Sequence, residues 1–196
     1  RRTLAVRRAR IPALGDTSLA GAVCRPIRGG VGAEAEPWFG THGQFTTAGA
    51  IRLGQALEKY SPLWFEEPIP PDNAPEMAKV AQAVRIPTAT GERLTTKAEF
   101  ADVLRLGAAT ILQPALGRVG GIPVAHKIAA LAEVHNAQMA PHLYAGPVEW
   151  AANIHFGISI PNILMVETID TPFHKAPLKG GIRLEKSFAK APTQPG

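Results

Sequence analysis

From about residue 37 onward, short apolar runs alternate with longer stretches of helical periodicity. The apolar runs are Trp38 and Phe39 leading into GTHG (40–43), then LWFEEP (63–68), PTATGE (87–92), ATILQPA (109–115), AQMAPH (137–142) and NILMVE (162–167). Between them, the spacing of apolar positions predicts helices near 46–60, 73–84, 95–107, 121–135 and 147–157. In the fourth of these, Ile122, Ala125, Ile128, Ala129 and Ala132 recur at intervals of three and four, which gathers them on one face and leaves Lys127 and Glu133 elsewhere. Asp72 or Asn73 is placed to cap the second helix, and Thr95 or Thr96 the third.

Strand and helix in alternation predict parallel βα units. A polar residue or its stand-in closes each apolar run, at positions 40, 66, 92, 115, 142 and 167, with separations of 26, 26, 23, 27 and 25. A βα unit of that length, repeated, has the period of a (β/α) barrel, in which about 250 residues make eight units and the chemistry sits at the C-terminal ends of the strands. Six such ends can be read, so residues 37–170 are expected to form about three quarters of a barrel. A doubly wound open sheet is the alternative; it would more often show a Gly-rich phosphate loop after an early strand. GRVGG (117–121) is the nearest approach to one, and a lone glycine cluster is more often a tight turn.

Composition adds limits. The chain of 196 residues is 45% hydrophobic, enough for one sizeable core, and it has no apolar run of membrane-spanning length. Its net charge of +5 is unevenly placed: residues 1–30 hold seven arginines against the single acid Asp16, so the remainder is close to neutral. Nucleic-acid binding is not expected from that distribution, and neither is a membrane partner. The Arg-rich 1–36 segment reads as a poorly defined leader or a remnant of the helix entering the next strand. The single cysteine, Cys24, excludes an intramolecular disulfide and fits a reducing, cytoplasmic compartment, with the residue itself an inert small side chain.

Taken as a ring facing one pocket, the strand ends supply Glu66, Glu92, His142 and Glu167, with His42 two residues beyond position 40. Carboxylates gathered at strand tips call for a positive charge to offset them. Oxygen ligands without cysteine point to Mg²⁺ or Mn²⁺ over Zn²⁺. A hard cation beside a histidine suits removal of a proton next to a carboxylate.

The segments WFEEPIPPDN, IPTATGERLTT, ILQPALGRVGGI, APHLYAGPVEWAANIH and PNILMVE resemble, in order and spacing, the enolase superfamily. The similarity is to its mandelate racemase/muconate lactonizing group, and within that to the acid-sugar dehydratases typified by D-galactonate dehydratase. The resemblance implies a (β/α)₇β barrel under an α+β capping domain, Mg²⁺ as the metal, a sugar acid as substrate, a place in carbohydrate-acid catabolism and a homo-oligomer in the full-length family. It implies proton removal α to a carboxylate followed by loss of the β-hydroxyl. Position by position, it makes Glu66 and Glu92 metal ligands, His142 the general base, His42 the general acid for the departing hydroxyl, and Glu167 the residue that hydrogen-bonds the substrate carboxylate or enolate. Glu67 is expected to be structural, as are His126, His135, His155 and His174.

Two positions depart from the family pattern. Its first metal ligand is the aspartate of Asp-x-His-Gly, and that position is Gly40 here. The aspartate that the family usually carries in the QPALG segment, and that orients the histidine base, is Ala115 here, so His142 is expected to lack that partner and to be a weaker, less fixed base. The N-terminal capping domain and first strands have no counterpart in 1–36, and the 171–196 tail is expected to return toward that absent domain. A partial barrel with open strand edges predicts marginal stability or reliance on a partner chain. Three readings follow: a metal-assisted acid-sugar dehydratase; a non-catalytic relative that binds a sugar acid or serves as an assembly subunit; and a racemase or cycloisomerase acting on a related carboxylate.

Overall fold

The computed structural model describes residues 24–27, 29–30, 37–169, 171, 182, 184–185 and 188–191. The chain divides into two compact units, Arg1–Thr88 and Ala89–Gly196. In the first, β1 (Phe39–Gly40) and β2 (Phe65–Glu66) pair in parallel with Phe39 opposite Phe65 and Gly40 opposite Glu66. The connection is α1 (Thr47–Leu57), which buries Ala50, Leu53 and Leu57 and is extended by a 3₁₀ turn over Glu58–Tyr60. Thr46 caps it by accepting from the Gly49 N–H. Beyond β2, α2 (Ala74–Ala83) begins at Asn73, whose Oδ1 accepts from the Glu76 N–H at 3.1 Å. Trp64, Phe65, Met77 and Val80 complete the buried apolar set of this unit.

Between the units in sequence lies β3 (Thr88–Thr90). In the second unit it pairs in parallel with β4 (Ile111–Leu112), Ala89 opposite Ile111, and β4 pairs in parallel with β5 (Gln138–Met139), Ile111 opposite Gln138. The helices are α3 (Lys97–Arg105), the four-residue α4 (Leu116–Val119), α5 (Ile122–Val134) and α6 (Pro147–Ile158). A capping box starts α3: the Thr96 side chain takes the Glu99 N–H and the Glu99 carboxylate takes the Thr96 N–H. The expected buried face of α5 is present, with Ala125, Ile128, Ala129 and Ala132 at 2% exposure or less. GRVGG is a turn joining α4 to α5, with Gly120 and Gly121 at φ +104° and +80°.

Five parallel strands therefore stand among the described residues where six were read. The sixth run, NILMVE, follows β5 in parallel but forms only the single bridge Met139–Ile163. The cause lies in β5: the Leu164 N–H reaches the Met139 carbonyl at 2.8 Å and the Glu167 N–H reaches the Pro141 carbonyl at 3.4 Å, but Pro141 has no N–H to return. Pro114 interrupts the β4–β5 ladder in the same way, leaving Ala115 and His142 paired as an isolated bridge. Further on, β6 (Leu184–Glu185) and β7 (Phe188–Ala189) pair antiparallel. Ile182, Ala189 and Ala191 pack with Leu143, Trp150 and Ile154, so this part of the tail lies against α6. Most of residues 1–36 fall outside the described set.

Gly91, the residue before Glu92, has φ +143°, and a Cβ there would stand 2.8 Å from the Gln113 amide nitrogen and 2.8 Å from a Phe100 ring carbon. Both the backbone conformation and the backbone contact exclude a side chain. Gly91→Ala is expected to destabilise the fold by about 2 kcal/mol or more, seen as a lowered urea midpoint; an unchanged midpoint would contradict this close approach.

Candidate active site

In the first unit, the turn after β1 and the turn after β2 hold each other. Thr41 Oγ1 donates to the Glu67 carbonyl at 2.7 Å and the Thr41 N–H to the Glu66 carbonyl at 3.2 Å, while the Gly43 N–H donates to the Glu67 carbonyl at 2.6 Å. His42 and Glu67 both lie in the left-handed region, at φ +49° and +39°. Two non-glycine residues in that region mark stored backbone strain, here held in place by the crossed hydrogen bonds. Glu67 is fully buried and serves as the anchor of both turns. His42 is exposed, and one of its ring nitrogens lies within 4.8 Å of a carboxylate oxygen of Glu66.

Glu66 closes β2. Its Oε2 accepts from the Trp64 indole N–H at 3.0 Å, and Trp64 is itself stacked on Trp38 with ring centroids 5.3 Å apart. Position 40 faces the other oxygen: a Cβ on Gly40 would stand 3.5 Å from Glu66 Oε1, an ordinary contact. Gly40 is not among the residues with positive φ. Neither space nor backbone conformation therefore requires glycine there, and an aspartate at 40 would direct its carboxylate toward Glu66.

The second unit assembles the other three residues. His142 Nδ1 lies 2.7 Å from Glu167 Oε2 and 3.5 Å from Glu92 Oε2. The His142 and Glu92 side chains are largely enclosed, at 17% and 12% exposure, whereas Glu167 is at 42%. Glu167 Oε2 also accepts from the Leu143 N–H at 2.7 Å. The backbone of His142 is fixed on both sides: its N–H donates to the Pro114 carbonyl at 3.2 Å and its carbonyl accepts from Asn153 Nδ2 at 3.0 Å. His142 thus has carboxylate partners, and the expectation that it is left without one by Ala115 is corrected. The β4 strand no longer supplies that partner; Glu167 approaches from the segment paralleling β5.

Three supporting residues escaped the sequence reading. Trp64 was legible, since two positions before Glu66 in a strand places it on the same face. Asn153 is fully buried on a helix face shared with Trp150 and Ile154, and a lone polar residue in such a row is a signal. Glu149, in the first turn of α6, accepts from the Gly117 N–H at 2.9 Å and supplies the start of α4 with an acceptor that Ala115 does not. Of the histidines expected to be structural, His126 contacts Ser159 Oγ at 3.1 Å and meets the Phe156 ring edge-on, and His174 lies outside the described residues. Burial pushes the Cys24 thiol pKa up, away from reactivity. No helix among the described residues is long and apolar enough to cross a membrane.

The model of the enolase C-terminal domain-like family matches residues 6–196, and the chain belongs to that family. Its parallel βα architecture is that of the family's TIM-barrel-like domain. A D-gluconate/D-galactonate dehydratase of Picrophilus torridus is 37% identical over 157 residues, which cover 79% of this chain and 40% of the relative. A solved mandelate racemase/muconate lactonizing enzyme-like protein from Roseovarius sp. TM1035 is 70% identical with a TM-score of 0.92, over 95% of this chain and 47% of that one. A mandelate racemase/muconate lactonizing enzyme from Sulfitobacter sp. is 69% identical with a TM-score of 0.91, over 93% and 46%. The chain thus spans less than half the length of each of these three.

The approach of position 40 to Glu66 gives a direct test. Gly40→Asp places a second carboxylate beside the first, so without divalent ions the variant is expected to melt below the parent. With Mn²⁺ or Mg²⁺ it should bind about tenfold more tightly than the parent, because added ligand charge strengthens a hard-cation site. Equal metal affinity by titration would show that position 40 does not face the ion.

Proposed function

We propose that the protein of which this chain is part is an acid-sugar dehydratase of the enolase superfamily. The observation that carries the reading is the grouping of His142 with Glu92 and Glu167 beyond the parallel strands of the second unit, with the His142 ring 2.7 Å from one carboxylate and 3.5 Å from the other. The dehydratase relative adds support for the reaction class.

Proteins of this superfamily bind Mg²⁺. The residues fit a hard cation by their donor chemistry: carboxylate oxygens and no thiolate, with Glu66 Oε1 facing the open place at position 40. In this reading Glu66 and Glu92 hold the ion, one protein carboxylate fewer than the family pattern, a number Mg²⁺ tolerates when water and substrate complete its shell. Bound there, the ion would polarise the substrate carboxylate and so acidify the α C–H.

The remaining roles belong to side chains. His142 takes the α-proton, and Glu167 hydrogen-bonds the substrate carboxylate or the enolate derived from it. The electron pair left at the α-carbon forms a double bond to the β-carbon as the β C–O bond breaks. His42 supplies the proton with which the hydroxyl departs as water, and the enol product tautomerises to a 2-keto acid. The exposure of His42 on a strained turn suits a group that must reach a substrate atom and exchange its proton with solvent. Gly40 favours a second reading, a non-catalytic relative that binds a sugar acid or serves as an assembly subunit.

Incubation of the whole protein with Mg²⁺ and a panel of aldonic and aldaric acids in D₂O separates these readings. Exchange at the α-carbon with release of a 2-keto acid is expected for one or more of them, and His142→Asn should reduce exchange by about 10²-fold or more. Exchange without a 2-keto product would instead indicate a racemase or cycloisomerase. Absence of exchange with every acid, in a folded protein, would sink the enzymatic reading.

A further inference from the structure

The geometry points to Glu167 as the positioning residue that fixes both the orientation and the tautomer of the His142 ring, replacing a partner on β4. The catalytic meaning of this assignment rests on the reading of His142 as proton acceptor; the assignment itself rests on geometry.

Ala115 and His142 are bridged residue to residue, so β4 runs directly beside the histidine while offering no side-chain acceptor at 115. On the opposite side of β5, the 163–167 segment is held by the Leu164 N–H on the Met139 carbonyl and the Glu167 N–H on the Pro141 carbonyl. That pairing brings the Glu167 carboxylate to the ring. Its Oε2 is located by a donor that cannot switch role, the Leu143 backbone N–H at 2.7 Å. That oxygen accepts from the backbone N–H and so accepts from the ring as well; the ring nitrogen 2.7 Å away carries the proton, and Oε1 is left for the substrate. The neutral ring is then the Nδ1–H tautomer, with the lone pair, and hence the basicity, on Nε2.

Glu92 Oε2, at 3.5 Å from the same nitrogen, is beyond normal hydrogen-bond length and is the lesser partner. The backbone of His142 is also anchored by Pro114 and Asn153, so loss of the Glu167 carboxylate would free the ring and the Leu143 N–H while these two hydrogen bonds still hold the loop. Because the Glu167 side chain is 42% exposed, removing it opens no core cavity. Nothing comparable would be expected of a carboxylate that served the substrate alone.

The test is the nitrogen spectrum of the His142 ring in the whole protein, recorded without substrate at a pH where the ring is neutral. Two-bond ¹H–¹⁵N correlations distinguish the tautomers. The parent and Glu92→Gln should show the Nδ1–H form, whereas Glu167→Ala should shift the ratio toward Nε2–H by about tenfold or more, the factor that a hydrogen bond to a charged group supplies. If Glu167→Ala folds poorly, Glu167→Gln keeps the size of the side chain, and the Nδ1 proton should then move upfield as the charge assistance is lost. An Nε2–H parent, a Glu167→Ala ring unchanged from the parent, or a Glu92→Gln ring altered as strongly as Glu167→Ala would overturn the assignment. Turnover plays no part in this readout: an Nδ1–H ring that responds to Glu167 in a protein showing no α-proton exchange would support the assignment and count against the dehydratase reading alone.

Discussion

Parallel backbone pairing in the second unit is the constraint on which the site depends. With Ile111 opposite Gln138 and Leu112 opposite Met139, β4 and β5 advance together, and the same register carried past Pro114 and Pro141 puts Ala115 beside His142. Parallel strands emerge at one end of the sheet, so whatever follows each strand gathers there. The prolines end the ladder at that level, and the chain is released into turns whose side chains can meet. Glu92, His142 and Glu167 come together because of this and not because of their distance in sequence.

The two departures from the family pattern have different structural outcomes. At position 115 the missing carboxylate has a counterpart: Glu167 stands against the histidine, and Glu149 serves the α4 N–H that an acidic residue there could have taken. Position 40 itself offers no side chain, although the space beside Glu66 Oε1 is retained and His42, two residues on, brings a ring nitrogen within 4.8 Å of a Glu66 carboxylate oxygen. Two carboxylates facing one imidazole nitrogen repel each other, and the Nδ1 proton between them offsets part of that repulsion.

Much of this was legible in the residue pattern, for reasons that can be traced. The 25-residue period and the apolar spacing located the five main helices and five of the six strands, because burial on one face forces periods of 3.6 and 2. Asn73 and Thr96 were readable as caps from their residue types alone. The helix α4 was not, since four residues are too few to show a period. The shortening of the sixth run depended on Pro141 in a neighbouring strand, a tertiary effect. The candidate site residues were visible as polar ends of apolar runs, but the pairing of Glu167 with His142 is set by side-chain placement across two segments. The expectation built on Ala115 failed for that reason: it considered the lost partner without the geometry that supplies another.

The central claim is that these strand ends form a metal-assisted site for proton removal with His142 kept as a base. Anomalous scattering from crystals of the whole protein grown with Mn²⁺ addresses it most directly. The account predicts a single strong peak at bonding distance from the Glu66 and Glu92 carboxylates, with His142 held by Glu167 and not bonded to the ion. A peak bonded to His142, or no peak at these carboxylates under saturating metal, would contradict it.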